Sequence, residues 1–366
     1  MKNEIGGFYE AVPQSELEGN RPEETLYDFM GQFKGFHASY YSCGRQAIGA
    51  VIDDIEKRSG CSKVCILPAY TCDTVIDPFT ARGWKISFYD VDTDLNVCAD
   101  ELISLIDQVD PSVLLMHTYY GCDNIRDVRA QVKKWQDEKG LIFVEDMTQS
   151  LFLLDSIDLT ADYYVGSLRK WFPIPDGGFA LSGDVLDENH YGEFTEYVEA
   201  KTSAQKMKYD YLWDKREGKE DALEINRNTE EYLCVAELIY DISKISSDML
   251  EKIDINTGRR ARNKNAKILI DGLKDIPGIR SLISVDTESP LYLPIIADDR
   301  DDLQKHLIKN DVFAPVLWPV PDECADTMSD STRRVYDNML GIPCDQRYGK
   351  QDMERILSCF RSYKKG

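Results

Sequence analysis

Short apolar segments recur along the first half of the chain, and longer segments with helical periodicity separate them. Most of the apolar segments lie roughly 20 to 30 residues apart, which is the spacing of βα repeats with a mainly parallel sheet. Several are apolar at nearly every position, as expected of strands that helices cover on both faces. We therefore predict an α/β domain whose strands span residues 64–67, 85–89, 113–117, 141–145, 163–165 and 178–181.

The segment that follows Ser42 has the apolar stripe of an amphipathic helix. The apolar residues recur at helical spacing, with Asp53, Asp54 and Glu56 beside them. A serine directly before such a stripe is a favourable N-cap, so we predict that Ser42 caps this helix. The stripe consists of Ala47, Ile48, Val51, Ile52 and Ile55.

The pattern changes after about residue 186. Residues 186–275 are charged and helix-favouring, and a helix predicted at 263–273 ends before Pro277 and Gly278. We predict a large α/β domain at residues 1–250, which includes the N-terminal segment, and a small α+β domain at residues 251–366. The later elements of the small domain are a strand, a helix, a strand and a helix at residues 291–296, 301–309, 312–318 and 350–363.

Charge and targeting signals narrow the class of protein. The chain has 43 basic and 65 acidic residues, a net charge of −22 at pH 7. This surface opposes binding to nucleic acid and to anionic membranes, although a helix N-terminus can still bind a small anion in a local pocket. No apolar run reaches the ~18 residues of a membrane span, and the first residues lack the apolar core of a signal peptide. We expect a cytoplasmic protein.

The chain has ten cysteines, which raises the question of a metal or disulfide framework. They contain no CxxC pair and no repeated spacing. Cys61 and Cys65 are the closest two, and no His-x3-His pair follows them. Free thiols in a reducing compartment are therefore the prediction, with no metal site.

Candidate binding groups lie at the boundaries of predicted elements. Gly44 and Arg45 begin the helix after Ser42, where free backbone N–H groups and the helix dipole suit a phosphate. Asp146 and Gln149 follow the strand at 141–145. A carboxylate in that position can be a metal ligand, a base or the counter-ion of a protonated ring nitrogen. A solvated acidic turn is the simpler alternative.

The segment Gly-Ser-Leu-Arg-Lys-Trp at 166–171 carries the strongest chemical signal. Lys170 has apolar and aromatic neighbours, which disfavour the charged ammonium form. A neutral amine is what Schiff-base chemistry requires. Ser167 could bind an anion near the same lysine, and Gly177 with Gly178 allows a tight turn into the next strand. For an isolated lysine, a surface position beside a buried aromatic ring is the alternative.

Aromatic residues follow two further predicted strands. Tyr70 and Cys72 come after the strand at 64–67, and Tyr119 comes after the strand at 113–117. Aromatic rings in these positions could stack on a flat cofactor ring, or they could pack in the core. The sequence leaves both interpretations open.

Together these segments resemble the DegT/StrS-type sugar aminotransferases, which are enzymes of fold type I that depend on pyridoxal 5′-phosphate (PLP). The resemblance covers nearly the whole chain. It implies a large domain with a mainly parallel seven-stranded sheet, a small α+β C-terminal domain, PLP as cofactor, and a homodimer with shared active sites. The matching stretches are SCGRQAI (42–48), LPAYTCDTV (67–75), FYDVD (88–92), HTYYG (117–121), EDMTQS (145–150), SLRKWFPIPDGG (167–178) and RRARNKNAKILIDGL (259–273), with weaker similarity at 300–319 and 340–348.

The resemblance also implies a role for each candidate residue. Lys170 would form the Schiff base with PLP, Asp146 would pair with the ring nitrogen of PLP, and Gln149 would contact the side of its phenolic oxygen. The phosphate of PLP would be held by Ser167 and by the backbone amides of Gly44 and Arg45.

The chain departs from the family pattern at two positions. Ser167 lies three residues before Lys170, whereas the commoner pattern has the serine five residues before the lysine. Cys72 occupies the position where many members carry a ring-stacking aromatic residue. If an aromatic side chain stacks on the PLP ring here, Tyr70 or Tyr119 is the candidate. Both departures indicate a divergent branch.

The expected reaction moves an amino group from an amino-acid donor, glutamate in the first instance, to a keto-sugar that is nucleotide-linked in most of the family. Arg347 is a candidate ligand for the α-carboxylate of the donor, because its fork geometry suits a carboxylate; a surface arginine is the alternative. Two other functions stay open. One is a PLP-dependent lyase or dehydratase, although related sugar dehydratases replace the lysine with histidine. The other is a non-catalytic PLP-binding protein.

Overall fold

A seven-stranded sheet is the centre of the segment that was predicted to form the large domain. The computed structural model describes residues 4–13, 16–17, 22–58, 61–186, 190–213, 217–233 and 238–363. The strands of the described residues, in all sheets and in chain order, are β1 (Ile5–Gly6), β2 (His37–Tyr41), β3 (Val64–Pro68), β4 (Lys85–Tyr89), β5 (Val113–His117), β6 (Ile142–Asp146), β7 (Tyr163–Ser167), β8 (Gly178–Ser182), β9 (Ile279–Ser281), β10 (Leu293–Ala297), β11 (Val312–Phe313) and β12 (Met339–Ile342).

The sheet of the large domain has the order β2-β8-β7-β6-β5-β3-β4. Strands β3 to β7 are mutually parallel, and β8 runs antiparallel to both of its neighbours. All six strands predicted from the apolar segments are present in this sheet. The sequence analysis missed β2, which completes the sheet at one edge.

Helices cover both faces of the sheet. In chain order the helices are α1 (Leu26–Gly31), α2 (Gly44–Glu56), α3 (Asp73–Ala81), α4 (Ala99–Val109), α5 (Arg126–Lys139), α6 (Thr195–Trp213), α7 (Lys219–Tyr232), α8 (Lys244–Leu250), α9 (Ile255–Leu273), α10 (Arg300–Lys309), α11 (Asp330–Asn338) and α12 (Lys350–Ser362). Short 3₁₀ turns follow β6 at Leu151–Asp155 and β7 at Leu168–Lys170.

The alternation of side chains along each strand divides the core into two clusters. Cys65, Leu67 and Leu115 pack with the predicted stripe of α2 on one face. Ile66 and Leu114 belong to the cluster on the other face, which includes residues of α4 and α5. Both faces of these strands are buried, so nearly every position is apolar and the predicted interpretation of the segments is confirmed.

The start of α2 differs from the prediction by one residue. Cys43, not Ser42, is the N-cap, and it makes no side-chain capping bond. The hydroxyl of Ser42 instead donates to Oε1 of Gln46 at 2.6 Å. The prediction of Ser42 as N-cap was therefore wrong, because this hydroxyl bonds to a side chain within the helix.

The segment that was predicted to form the small domain contains an antiparallel three-stranded sheet in the order β12-β10-β9. Helix α9 begins at Ile255, earlier than predicted, because Asp254 accepts a hydrogen bond from the Asn256 N–H at 3.1 Å and caps it. The strand predicted at 312–318 was wrong beyond Phe313. Pro315 has no N–H to donate to a ladder, which explains why β11 is short. The proposed domain boundary, after residue 250, falls between α8 and α9.

Two long charged helices, α6 and α7, pack against each other. Helices α6 and α7 occupy much of the segment that was predicted to be helix-favouring. The C-terminal end of α7 reaches the edge of the sheet where the parallel strands end. Among the described residues, none of the helices combines the length and the apolar character that a membrane crossing needs.

Candidate active site

A cavity of about 510 Å³ opens at the C-terminal edge of the parallel strands. Side chains that follow β3, β5, β6 and β7 meet there, as expected for a parallel sheet. The cavity collects most of the residues that the sequence singled out, although they are far apart in the chain. The predicted residues that line it are Gly44, Arg45, Cys72, Asp146, Gln149, Ser167 and Lys170.

The first turn of α2 and the end of β7 form one wall of this cavity. A methyl group on Gly44 would lie 3.3 Å from Cβ of Ser167, so the two elements approach closely. The first N–H groups of a helix have no intrahelical acceptor. The hydroxyl oxygen of Ser167 is buried and has no hydrogen-bond partner among the described residues. These donors can bind a phosphate at the positive end of the helix dipole.

The side chain of Arg45 points away from this anion site. Its guanidinium pairs with Asp77 at 3.0 Å and donates to the carbonyl of Leu233. Arg45 can therefore offer its backbone amide to a ligand in the cavity, which is the group that the sequence analysis singled out.

Asp146 is the last residue of β6, and its buried carboxyl group faces the cavity. Oδ1 accepts a hydrogen bond from the Thr148 N–H at 2.7 Å, and Oδ2 lies 3.4 Å from Nδ1 of His117. The preceding residue, Glu145, points to the opposite face and pairs with Arg129. The pleat of the strand thus selects Asp146 as the carboxylate of the cavity.

His117 was not among the predicted site residues, yet it lines the cavity at the end of β5. It is the residue directly opposite Asp146 in the parallel ladder. Its Nε2 lies 2.7 Å from the hydroxyl of Thr71. Burial lowers the pKa of His117; Asp146 opposes this effect and the charge of Lys170 adds to it. A neutral ring can accept at Nε2 from the hydroxyl of Thr71, while Nδ1 lies beside the carboxylate of Asp146.

Lys170 ends the 3₁₀ turn after β7, and a closed loop fixes its backbone. The N–H groups of Leu168 and Arg169 donate to the carbonyl of Gly177, at 2.9 and 3.3 Å. Gly177 has φ +141°, which favours glycine, and a methyl group on Gly178 would lie 2.3 Å from the carbonyl carbon of Cys43. The two glycines therefore let this loop close against the start of α2.

The amine of Lys170 faces the cavity without a counter-ion. In the part of the chain that the structure describes, no carboxylate forms a salt bridge with it. Gln149 contributes a buried side-chain oxygen that likewise has no hydrogen-bond partner there. Unpaired polar groups are costly to bury, so their convergence on one cavity indicates a bound polar ligand.

The structure places Tyr70 and Tyr119 beneath the cavity and not in its lining. The Tyr70 ring packs on Trp318 and Tyr336 with centroids 4.9 and 4.8 Å apart, and the Tyr119 hydroxyl donates to the carbonyl of Tyr70 at 2.6 Å. Their positions do not support the stacking role that the sequence analysis considered. His117 and Trp318 line the cavity instead, with nearly parallel rings 6.0 Å apart.

Arg347 lies in a separate small chamber on the other side of Lys170. Its guanidinium forms a two-pronged pair with Asp345, with both distances 2.8 Å, and donates to the carbonyls of Gly7 and Phe8. These contacts hold the N-terminal segment against the small domain. The predicted role of Arg347 as a ligand of the donor carboxylate would require it to leave these partners.

The sequence and the fold were compared with those of known proteins. No protein-family model and no curated protein sequence matches the chain. The fold is similar to that of PseC of Helicobacter pylori, an aminotransferase involved in the biosynthesis of pseudoaminic acid, with a TM-score of 0.67 and 14% identity over 98% of both chains.

Two other solved structures have similar folds. A DegT DnrJ EryC1 StrS aminotransferase from Brucella abortus gives a TM-score of 0.60 and 16% identity, covering 98% of this chain and 92% of the other. NtdA of Bacillus subtilis gives a TM-score of 0.62 and 14% identity, covering 97% of this chain and 78% of the other. At these identities the likeness defines the architecture, and the chain therefore has the fold of the fold type I aminotransferases.

Proposed function

We propose that the chain is a PLP-dependent aminotransferase. One observation carries this proposal: a lysine and two buried polar atoms, all without partners among the described residues, face the same cavity as a buried carboxyl group. Lys170, Asp146, Ser167 and Gln149 supply these groups. The crystal structure of NtdA, described with bound cofactor PMP, the pyridoxamine form of PLP, supports the choice of cofactor.

The residues present fit PLP group by group. Ser167 and the first-turn N–H groups of α2 would bind the phosphate. Asp146 would hold a proton at the ring nitrogen, and Gln149 would lie towards the phenolic oxygen. Cys72 lines the same cavity with a small, half-buried side chain that cannot stack on a ring. His117 and Trp318 also line the cavity, and their rings are the candidates to stack on the ring of PLP.

The chemistry divides between the cofactor and the protein. When bound, PLP supplies an electron-accepting ring that stabilises the charge left when the α-proton of the donor departs. The Thr148 N–H holds one oxygen of the Asp146 carboxyl group, and His117 lies beside the other, so the group stays in place in the cavity. Lys170 Nζ, when neutral, can accept the proton that leaves the α-carbon of the donor. It can then deliver this proton to the C4′ position of the cofactor.

We propose glutamate as the amino donor and a keto-sugar, nucleotide-linked as in much of the resembling family, as the acceptor. The description of PseC as an aminotransferase of pseudoaminic acid biosynthesis supports a sugar acceptor. The cavity has a volume of about 510 Å³, which lies within the general range of small-molecule binding sites.

Glutamate should convert the PLP-loaded protein to its pyridoxamine form. The conversion would be followed as loss of the long-wavelength absorbance of the cofactor, together with release of 2-oxoglutarate. Glutarate, which lacks the amino group, is the matched control and should leave the spectrum of the cofactor in the PLP form. A protein that binds PLP but releases no 2-oxoglutarate from glutamate would instead be a lyase or a binding protein.

We propose that the chain acts as a homodimer in the cytoplasm. Tyr191 and Tyr232 expose 66% and 42% of their surface and belong to one aromatic cluster with Phe194 and Tyr240. An exposed apolar patch close to a cavity is typical of a protein interface. The described cysteines are free thiols, which suits a reducing compartment; Cys234 lies outside the described residues. A molar mass of a single chain by light scattering would contradict the dimer.

A further inference from the structure

The small chamber behind Lys170 has a volume of about 150 Å³. Arg169, Lys170 and Glu230 line both this chamber and the larger cavity, so the two spaces adjoin at the lysine. The other walls come from the N-terminal segment, from α6 and from the small domain. A ligand that reaches Lys170 from the larger cavity can therefore extend into the chamber.

The chamber is positively charged, although the chain as a whole has a net charge of −22. Five cationic side chains and two carboxylates line it. Such a local excess of positive charge favours a small anion. The cations are Arg169, Lys170, Lys201, Arg262 and Arg347, and the carboxylates are Glu230 and Asp345.

Two of these cations already bind buried groups of the protein itself. Arg347 pairs with buried Asp345. Arg262 donates to the backbone carbonyls of Pro290 and Leu291, at 3.2 and 2.9 Å. Neither guanidinium can turn to a ligand without leaving buried acceptors unpaired.

Arg169 and Lys201 are different, because both use the carboxylate of Glu230. Arg169 forms a two-pronged pair with this carboxylate at 3.0 and 2.9 Å, and Nζ of Lys201 lies 2.9 Å from Oε1. Burial raises the pKa of Glu230, but Arg169 and Lys201 outweigh this effect and lower it to about 2. The two cations thus form a ready-made carboxylate site.

The three side chains differ sharply in exposure. The side chain of Glu230 is 44% exposed, whereas those of Arg169 and Lys201 are 19% and 6% exposed. Glu230 is thus the member of this cluster nearest to solvent, and it can move into water when another carboxylate replaces its bonds to Arg169 and Lys201, whereas the two cations cannot follow it. If Glu230 leaves, a second anion is needed to neutralise the buried charges.

We propose that Arg169 and Lys201 form the subsite for a carboxylate of the amino donor, and that Glu230 occupies this subsite until the donor displaces it. The identity of the ligand as a donor rests on the proposed amino transfer. The position of Arg169 directly before Lys170 places the carboxylate site beside the reacting amine. Glu230 then competes with the donor for this subsite, so a higher donor concentration is required for half-maximal binding.

Binding of glutarate to the full chain, measured by calorimetry with and without PLP, tests this proposal. Glu230→Gln should tighten glutarate binding by about fivefold, since a partly exposed ion pair of this size no longer competes. Arg169→Gln should weaken it by about tenfold or more, because the two-pronged contact is lost. Glu224→Gln is the matched control: Glu224 is exposed on the same helix and lines neither the chamber nor the larger cavity, so its change should leave the affinity for glutarate unaltered.

Two outcomes would overturn the proposal. Weaker glutarate binding by a correctly folded Glu230→Gln variant would make Glu230 a support for Arg169 and not a competitor. Unchanged glutarate binding by Arg169→Gln, with a loss of PLP affinity, would assign Arg169 to the phosphate of the cofactor. Arg169→Lys keeps the charge and provides a second variant if Arg169→Gln does not fold. Glutarate binding requires no amino transfer, so this result and that of the glutamate assay are independent.

Discussion

Replacement of Lys170 by alanine is expected to abolish covalent attachment of PLP and to lower the rate of amino transfer by at least about 10³-fold. The amine is the one basic nucleophile that the structure places in the cavity with no salt bridge among the described residues. Borohydride reduction of the loaded wild-type protein, followed by trypsin digestion, tests the attachment. The modified peptide should span residues 170–201, because trypsin does not cleave after a modified lysine.

Lys170→Arg is the control for charge. It keeps a cation beside His117, whose pKa responds to Lys170, but it cannot form the covalent link. Both variants should lack the modified peptide and show the same loss of rate. Appearance of the cofactor on another lysine of the wild-type protein, with activity retained in Lys170→Ala, would remove Lys170 from the reaction.

Asp146→Asn is expected to retain PLP binding but to slow the glutamate half-reaction by roughly 10²- to 10⁴-fold. The amide can still accept the hydrogen bond from the Thr148 N–H, which the carboxylate accepts at 2.7 Å, so the local fold should persist. It cannot hold a proton at the ring nitrogen, because the negative charge is gone. Single-turnover absorbance measurements with glutamate separate this loss of rate from a loss of affinity.

Asp146→Glu provides the matched variant, because it restores the charge on a longer side chain. Its rate should lie between those of the wild type and Asp146→Asn. A wild-type rate in Asp146→Asn would show that the charge of this group has no part in the reaction. A loss of PLP binding in Asp146→Asn would show that the carboxylate holds the cofactor more than it activates it.

The fold was largely predictable because buried parallel strands carry a strong local signal. Strands β3 and β5 to β8 are buried at nearly every position, and their spacing along the chain reflects the segments between them. Strand β2 was missed because most of its residues are only partly buried, which makes the segment resemble a loop before α2. The strand predicted at 312–318 failed because its apolar residues concealed the effect of Pro315 on the ladder.

The site was predictable where its residues follow strands of one sheet. Asp146, Ser167 and Lys170 were placed correctly at one edge by the order of predicted elements. His117 could have been found by the same argument, since it ends β5 and lies opposite Asp146 in the ladder. Trp318 and Glu230 could not, because they reach the cavity from the small domain and from α7, and no local pattern encodes those long-range contacts.

The contacts of the N-terminal segment have a consequence for how the protein is made. Strand β1 pairs in parallel with β11, and the Gly6 N–H donates to the hydroxyl of Tyr348 at 2.7 Å. During synthesis the residues of β1 leave the ribosome well before their partners in β11 and before Tyr348. The central sheet can assemble on the nascent chain, but the chamber behind Lys170 closes only after Arg347 and Tyr348 have emerged. Closure of the chamber thus depends on contacts that form after the central sheet.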